Sequence, residues 1–157
     1  MNNSLTTEQL REQSTQDLSL LGAGETKYPQ SPEEAVLEAI PNMWLENDYL
    51  VQLDCHEFTC LCPKTGQPDF ARIYIKYIPG ETLVESKALK LYLFSYRNHG
   101  IFHEFVINKI ADDLQKVLKA KYIQVLGDFM PRGGIAIKPL VELGDRELFK
   151  KVNVVDE

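Results

Sequence analysis

The sequence predicts one α+β domain, in which a four-stranded antiparallel sheet carries two helices on one face. Two short β-prone segments come first, two segments with apolar residues at helical spacing follow, and two strand-like segments come last. The order is therefore β-β-α-α-β-β. With 157 residues, 44% of them hydrophobic, the chain is long enough to bury a single core of ordinary size.

The first two predicted strands flank a turn. Residues 48–54, DYLVQLD, are short and β-prone. Residues 71–78, ARIYIKYI, alternate in character, with Ile73, Ile75 and Tyr77 on one face. The proline, lysine and glycine between the two segments are typical of a turn.

The middle of the chain predicts two helices. In residues 86–100, SKALKLYLFSYRNHG, apolar side chains recur at helical spacing, and Gly100 is predicted to end the helix. Residues 102–119 carry a longer apolar stripe with polar edges. His103 and Glu104 fall in its first turn.

The two ends of the chain differ in character. Residues 121–130 and 133–143 predict a closing pair of strands joined at PRGG, before a charged tail that starts at Asp145. Residues 1–40 are polar without a sustained apolar period, which predicts a mobile or surface-draped arm, with the domain over 41–157. A four-stranded sheet has two edges that need covering, so we expect association between copies of the chain.

The composition excludes several classes of function. Seventeen Lys and Arg against 23 Asp and Glu give a net charge of -6, which does not favour binding to nucleic acid or an anionic membrane. No apolar run approaches the roughly 20 residues of a membrane helix, and the first twenty residues do not resemble a secretory signal. We therefore expect a cytoplasmic protein. Because no dinucleotide-binding glycine motif or Walker loop is present, any nucleotide cofactor would bind without a Rossmann unit.

Three cysteines lie close together, and the sequence allows several interpretations of their role. A zinc site would use Cys55, His56, Cys60 and Cys62, but these lie within eight positions and no second ligand pair follows downstream. Cys-x-Cys also lacks the setting that tunes redox pairs. Burial in the core is the simplest reading for Cys55 and Cys60, since free cysteine is commonly buried.

Cys62 has a different setting, at the junction of a predicted strand and a turn. It precedes Pro63 and Lys64 and lies seven residues before Asp69. A nearby cation favours the thiolate, and a carboxylate on the same loop can deliver a proton, so the pair suits covalent addition to an electrophilic carbon. The same residues are also good turn chemistry, in which Asp69 would only fix the loop.

Three segments in order, FTCLCPKTGQPDF, ESKALKLYLFSYRNHG and FHE, resemble the QueF family of nitrile reductases, the 7-cyano-7-deazaguanine reductases of queuosine biosynthesis. The resemblance extends from about Asp48 to Gly134. It implies that Cys62 is the nucleophile and Asp69 the proton donor. Cys60 stands where related sequences often have serine, which agrees with a bystander role.

The resemblance also implies roles for residues of the two helical segments. The implied substrate-binding residues are Val84, Glu85, Ser86, His103 and Glu104, and His103 is also a candidate second proton shuttle. The predicted contacts to NADPH are Lys87 and Lys90, which lie three apart on one helix face and could meet its extra phosphate, and Arg132, which lies beside the flexible backbone of PRGG. The simpler alternatives are a Glu104 that complements the helix dipole, a His103 that caps, a solvated lysine pair and an ordinary hairpin.

The family resemblance implies a complete reaction and assembly. Cys62 would attack the nitrile to give a thioimide, and two NADPH would reduce it to the primary amine, with no metal ion. The fold would be the tunnelling fold, assembled as a homodecamer of two stacked pentamers with active sites between subunits. Three alternatives stay open: a tunnelling-fold amidinotransferase that adds ammonia to the same thioimide, a zinc-dependent pterin cyclohydrolase, and a non-enzymatic purine-binding module.

Overall fold

A four-stranded antiparallel sheet forms the centre of the computed structural model, which describes residues 6–16, 18–20 and 25–153. The strands are Ala39–Pro41 (β1), Val51–Leu61 (β2), Pro68–Ile78 (β3), Thr82–Val84 (β4), Tyr122–Phe129 (β5) and Leu140–Gly144 (β6). The helices are Thr7–Thr15 (α1), Ser86–Phe94 (α2), His103–Leu118 (α3) and Arg146–Val152 (α4). Strands β2, β3, β5 and β6 pair in that order, and β1 pairs with β4 as a separate ribbon.

One face of the large sheet carries the hydrophobic core. Along β3 every second side chain is buried, from Asp69 at its start to Tyr77 near its end. The residues opposite them on β5, from Phe129 back to Ile123, are buried as well. Because α2 and α3 supply side chains to the same core cluster, the predicted α+β class with two helices on one sheet face is confirmed. The buried row on β3 ends in a carboxylate, and this end of the sheet holds the candidate site.

Helix α3 follows the predicted apolar stripe closely. Its buried side chains recur every three or four residues and pack toward the sheet. The helix ends at Lys119, which adopts a left-handed conformation with a φ of 45°. Within the described ranges, no helix combines the length and the apolar character needed to cross a membrane.

Helix α2 is shorter than the helix predicted over residues 86–100. It ends at Phe94, and residues 95–98 continue in tight turns whose backbone hydrogen bonds span three residues instead of four. Tyr96 in these turns is fully buried, so tertiary packing determines the path. Gly100 does not end a helix but lies in the connection to α3.

Strand β2 is longer than the predicted strand over residues 48–54. It spans Val51–Leu61 and contains a register shift between Cys55 and Phe58. The shift breaks the strict alternation of side chains that sequence patterns rely on. The second half of β2, after the shift, buries Cys60 in the core. A search for strict alternation along the sequence does not detect this half of the strand.

The closing strand is shorter than the predicted strand over residues 133–143. Gly133 and Gly134 have φ angles of 57° and 79°, so this part turns instead of extending. Leu140–Gly144 forms the strand that pairs with β5, and before it Pro139 O and Ile137 O accept single backbone bonds from β5, at 3.0 and 3.3 Å. The charged segment after it forms α4, which Asp145 caps with its side chain.

The polar segment of residues 1–40 contains α1 and the first residues of β1. Helix α1 has a capping box at Thr6 and no buried residue. Further along, Ala35 and Leu37 are partly buried against the core. Strand β1 then pairs with β4, directly before α2, so this segment is tied to the start of that helix.

Candidate active site

The six-residue connection between β2 and β3, residues 62–67, positions Cys62. The Cys62 backbone N–H donates to Gln67 O at 2.8 Å, and its carbonyl accepts from Gly66 N–H at 2.9 Å. Gly66 has a φ of 67°, which favours glycine, and the Thr65 hydroxyl accepts from Gln67 N–H at 3.3 Å. The half-buried thiol therefore sits on a well-ordered turn at the end of a strand.

The strand register places Cys62 and Asp69 on the same face of the sheet. Cys60 pairs directly with Asp69, and the backbone bond from Cys62 to Gln67 continues this register. Cys60 and Asp69 are buried, and since side chains alternate along a strand, Cys62 lies on the same side of the sheet as Cys60. Cys62 and Asp69 are diagonal neighbours, a relation that separates residues by roughly 7–8 Å. A small substrate group can lie between them.

The three thiols differ in their acidity. Hydrogen bonds from the Thr65 hydroxyl, and then from the Lys64 and Thr65 backbone N–H groups, lower the pKa of Cys62 to about 7. Burial, with a smaller contribution from Asp69, raises the pKa of Cys60 to about 12. Burial also raises the pKa of Cys55. At neutral pH, Cys62 is the thiol with a substantial thiolate fraction.

The low pKa of Cys62 has a different cause from the one that the sequence suggested. The sequence suggested a charge effect from the Lys64 ammonium. In the structure, the contribution of Lys64 comes from its backbone N–H. The turn itself therefore acts as the hydrogen-bond donor set for a thiolate.

Asp69 is 4% exposed and lies between two basic side chains. Arg132 approaches both oxygens, with Nε 2.9 Å from Oδ1 and Nη2 3.0 Å from Oδ2. His103 Nε2 lies 3.0 Å from Oδ2, which is an ion-pair distance although the ring is not aligned for a hydrogen bond. The carboxylate is thus compensated when it is ionised.

His103 reaches the site because the α2–α3 connection runs beside the end of β2. Leu61 N–H donates to His99 O, and Ile101 N–H donates to Leu61 O, each at 3.0 Å. The His103 ring then stacks on Phe129, with centroids 3.9 Å apart and planes at 14°. Its side chain does not cap α3, since the N-cap is Phe102 with no side-chain bond.

Gly100 allows this connection to come close to the cysteine turn. A Cβ at Gly100 would lie 3.2 Å from Pro63 Cα. This is tighter than most real contacts and involves backbone, which cannot swing aside. The close approach brings the start of α3 beside the turn that carries Cys62.

The residues implied for substrate binding at the start of α2 lie elsewhere. Val84 N–H donates to the Tyr77 hydroxyl at 3.3 Å, so this group adjoins the far end of β3. Asp69 and Tyr77 are separated by roughly 26 Å along the strand, from eight residues at ~3.3 Å each. Glu85 caps α2, accepting from Lys87 N–H at 2.9 Å and Ala88 N–H at 2.7 Å. Within one chain, the structure thus divides the sequence-predicted site into two groups.

The side chains of the second group have different environments. Glu85 is buried, whereas Ser86 and Lys90 are exposed. Lys87 Nζ donates to Leu20 O at 2.6 Å, a residue of the N-terminal segment. Glu104, on the other hand, is exposed in the first turn of α3, beside His103.

Two open cavities adjoin the second half of β2. One, of about 580 Å³, is lined by Ser86 and Lys90 of α2. The other, of about 720 Å³, reaches Phe129 and Pro131. They share residues 56–58, but neither is lined by the half-buried thiol of Cys62, so cavity size alone does not locate the chemistry. Among the described residues, no three His, Cys, Asp or Glu side chains are arranged to hold a metal ion.

Sequence reasoning missed two contributors to the site. Thr65 polarises the thiol, and its place in a Ser/Thr-type turn is a local signal that could have indicated it. Phe129 supports the His103 ring from another strand, a contact without a local sequence signal. Arg132 was predicted to contact NADPH, which stays a prediction, and sequence reasoning did not foresee its contact with Asp69.

Comparisons with known proteins agree with the fold and the motifs. The family model described as "QueF-like protein" matches residues 68–148. The NADPH-dependent 7-cyano-7-deazaguanine reductase of Neisseria meningitidis serogroup C is 57% identical over 129 residues, 82% of each chain. The enzyme of the same name from Exiguobacterium sp. is 56% identical over 135 residues, covering 86% of this chain and 83% of that protein. The one from Streptococcus thermophilus is 53% identical over 134 residues, 85% and 82%.

A solved structure supports the architecture. The apo crystal structure of the archaeosine synthase QueF-Like superposes with a TM-score of 0.59 at 21% identity, covering 63% of this chain and 97% of that one. At this identity the likeness concerns the fold, and it confirms the predicted tunnelling fold. Together, the family model and the close relatives show that the chain belongs to the QueF-like protein family.

Proposed function

We propose that this protein reduces the nitrile of 7-cyano-7-deazaguanine to the primary amine, 7-aminomethyl-7-deazaguanine, with two NADPH per turnover. The observation that carries the proposal is the acidic thiol of Cys62 beside the buried carboxylate of Asp69. The names of relatives that are 53–57% identical over most of the chain support the substrate and the cofactor. The product belongs to queuosine biosynthesis, and we place the reaction in the cytoplasm.

The first step is addition of the Cys62 thiolate to the nitrile carbon. The carbon–sulfur bond forms, the carbon–nitrogen triple bond becomes a double bond, and the nitrogen takes one proton to give a neutral thioimide. Asp69 supplies that proton. Asp69 first receives the proton released by the thiol and then passes it to nitrogen. The guanidinium of Arg132 favours the ionised carboxylate, so it assists the second of these transfers, the release of the proton to nitrogen.

The remaining steps add two hydrides, which NADPH supplies when bound. After the first hydride reaches the thioimide carbon, the carbon–sulfur bond breaks, Cys62 leaves as thiolate, and an imine remains. The second hydride and one further proton complete the amine, so that the nitrile takes up two hydrides and two protons in total. His103 is suited to relay a proton, since imidazole changes charge near neutral pH and its Nε2 lies 3.0 Å from Asp69. The imine must stay enclosed to avoid hydrolysis.

The residues present suit recognition of a deazaguanine and of a phosphorylated cofactor. The exposed carboxylate of Glu104 can accept hydrogen bonds from the ring N–H and amino groups. Glu85 already caps α2, but a carboxylate has further lone pairs to offer, and Val84 and Ser86 flank it. Lys90 is exposed in the 580 Å³ cavity, where it would hold phosphate, with Lys87 one turn away.

The active sites are proposed to lie between subunits of a homodecamer, two stacked pentamers. Within one chain, Cys62 lies far along β3 from the predicted substrate-binding residues at the start of α2. This separation supports the arrangement, because a neighbouring copy can bring the start of its own α2 to the thiol. The outer strands β2 and β6 of the large sheet each have one edge without a pairing strand in the described chain, which suits edge-to-edge association. We expect no direct binding to nucleic acid, given the net charge of -6.

The test is a mass measurement followed by an absorbance assay. Incubating the protein with 7-cyano-7-deazaguanine without NADPH should add the mass of the nitrile to the chain, and Cys62→Ala should abolish the adduct. Cys55→Ser, which changes a thiol on the same strand, should retain it. Absence of an adduct in the wild-type protein would contradict the nucleophile assignment.

The second measurement separates the reductase from its alternatives. Substrate-dependent loss of NADPH absorbance at about 340 nm, with two NADPH consumed per amine, is expected. An amidinotransferase would form the same adduct but would incorporate ammonia without consuming NADPH. A purine-binding module would give neither result.

A further inference from the structure

The guanidinium of Arg132 contacts the site in a geometry that simple charge pairing does not require. Nε and Nη2 each approach a different oxygen of Asp69, at 2.9 and 3.0 Å, and Nη1 donates to Gln67 Oε1 at 3.1 Å. Nη2 donates a hydrogen bond to Oδ2, and Nε lies at ion-pair distance from Oδ1, so one planar guanidinium faces both oxygens, which the point-like ammonium of lysine does not do. It engages both oxygens of a carboxylate that is 4% exposed.

The backbone holds Arg132 in this place. Its N–H donates to Ile135 O and its carbonyl accepts from Ile135 N–H, both at 3.1 Å. Gly133 and Gly134 between them have φ angles of 57° and 79°, as such a tight turn needs. Met130, two residues before Arg132, donates its N–H to Phe70 O at 2.9 Å, and this bond holds the segment against β3. Arg132 is therefore presented to Asp69 by an ordered turn.

We infer that Arg132 is a positioning residue of the reaction, which fixes the orientation of the Asp69 carboxylate and favours the thiolate of Cys62 before any cofactor binds. The inference rests on the proposed function for the identity of the reaction. It assigns Arg132 a role that is distinct from a contact to the phosphates of NADPH.

The electrostatics of the face support this role. A hydrogen bond from Arg132 is one of the contributions that lower the pKa of Cys62, and its charge also opposes the rise at Cys60. The charges of Asp69, Arg132 and Cys62 all act on the pKa of Cys60, so these groups share one electrostatic environment, with His103 beside Asp69. Without Arg132, the Cys62 thiolate would lose a hydrogen-bond donor, and the negative charges in this environment would lose their cation.

The experiment measures the pH dependence of Cys62 alkylation by iodoacetamide, without substrate and without NADPH. Peptide-resolved mass spectrometry follows Cys62 separately from the other thiols. Arg132→Gln should move the inflection of the wild-type rate, near pH 7, upward by roughly half a unit or less, since Arg132 is the smallest of the named contributions. Arg132→Lys should recover part of this shift, because it keeps the charge but not the fork.

A second readout tests the orientation of Asp69. The rate of adduct formation with 7-cyano-7-deazaguanine, again without NADPH, should fall roughly 10- to 100-fold in both Arg132 variants, since a misplaced acid slows proton transfer. Lys138→Gln is the matched control, because it removes an exposed ion pair from the same connection, Lys138 Nζ to Asp128 Oδ1 at 3.0 Å. This control should change neither rate. Far-ultraviolet circular dichroism establishes that each variant is folded.

The results distinguish failure of the inference about Arg132 from failure of the proposed function. If both Arg132 variants keep the wild-type alkylation profile and adduct rate while the KM for NADPH rises, Arg132 is a cofactor contact and the inference is wrong. If the wild-type protein forms no adduct, the proposed function fails, and the alkylation profile still decides whether Arg132 acts on the thiol.

Discussion

Replacing Thr65 with valine should remove the largest single contribution to the low pKa of Cys62. The Thr65 hydroxyl is the first of the hydrogen-bond donors that bring this pKa from 9.0 to about 7. Valine has nearly the same shape but no hydroxyl, so the thiolate loses one donor. The Lys64 and Thr65 backbone N–H groups remain, and we therefore expect a rise of about one unit rather than a full return to 9.0.

The size of the effect follows from two opposing factors. At pH 7, a pKa of about 7 leaves half of Cys62 as thiolate, and a pKa of about 8 leaves roughly one tenth, a fivefold loss. The more basic thiolate is intrinsically more nucleophilic, by roughly threefold per unit. The net alkylation rate at pH 7 should thus fall only about twofold, whereas the inflection should move by about a full unit.

The inflection is therefore the quantity to measure, by iodoacetamide alkylation of Cys62 across the pH range. The rate rises with pH through the pKa, so the Thr65→Val curve should lie to the right of the wild-type curve and cross it in alkaline solution. Thr65→Ser is the matched control, since it keeps the hydroxyl and should retain the wild-type inflection. An unchanged inflection in Thr65→Val would refute the assignment of the hydroxyl as the main donor.

Two further predictions concern stability. Gly100→Ala places a methyl group 3.2 Å from Pro63 Cα, so it should lower stability by about 1–3 kcal/mol and slow alkylation of the adjacent cysteine; an unchanged Tm would show that the connection can move aside. Burial raises the pKa of Asp113, but hydrogen bonds from Lys109 and Tyr92 outweigh it, and the net pKa lies below 3.8. A carboxylate with a lowered pKa stabilises the fold at pH values above that pKa. Asp113→Asn should therefore lower the free energy of unfolding by about 1–2 kcal/mol at neutral pH, and the difference from wild type, measured by urea titration, should vanish as the pH falls below the pKa of Asp113. A pH-independent difference would contradict the charge-based explanation.

The sequence was sufficient to predict the elements whose pattern matches their burial. The alternation of Ile73, Ile75 and Tyr77 describes β3 because that strand pairs on both sides and buries one face. The stripe of α3 likewise reflects a single packing surface. Where the backbone departs from regular geometry, as at the bulge in β2 or the turns after Phe94, the period is lost and the boundaries predicted from it were wrong.

The candidate site was predictable in part for the same kind of reason. Cys62 and Asp69 are joined by one short turn, so local sequence already places them near each other. The partners of Asp69 come from the start of α3 and from the connection after β5, and no local signal relates Arg132 to a residue 63 positions earlier. The separation of the α2 group from Cys62 depends on the length of β3 and on the sheet as a whole.

Cys60 and Cys62 differ in burial, and this difference allows local opening of the protein to be measured. Cys60 is fully buried on a strand that pairs with β3, so a thiol reagent reaches it only when the β2–β3 hairpin opens. Its labelling rate, read against the accessible Cys62, therefore measures the free energy of local opening in this region, as hydrogen exchange does for backbone amides. Ligand binding that closes the hairpin would appear as slower labelling of Cys60, without any engineered cysteine.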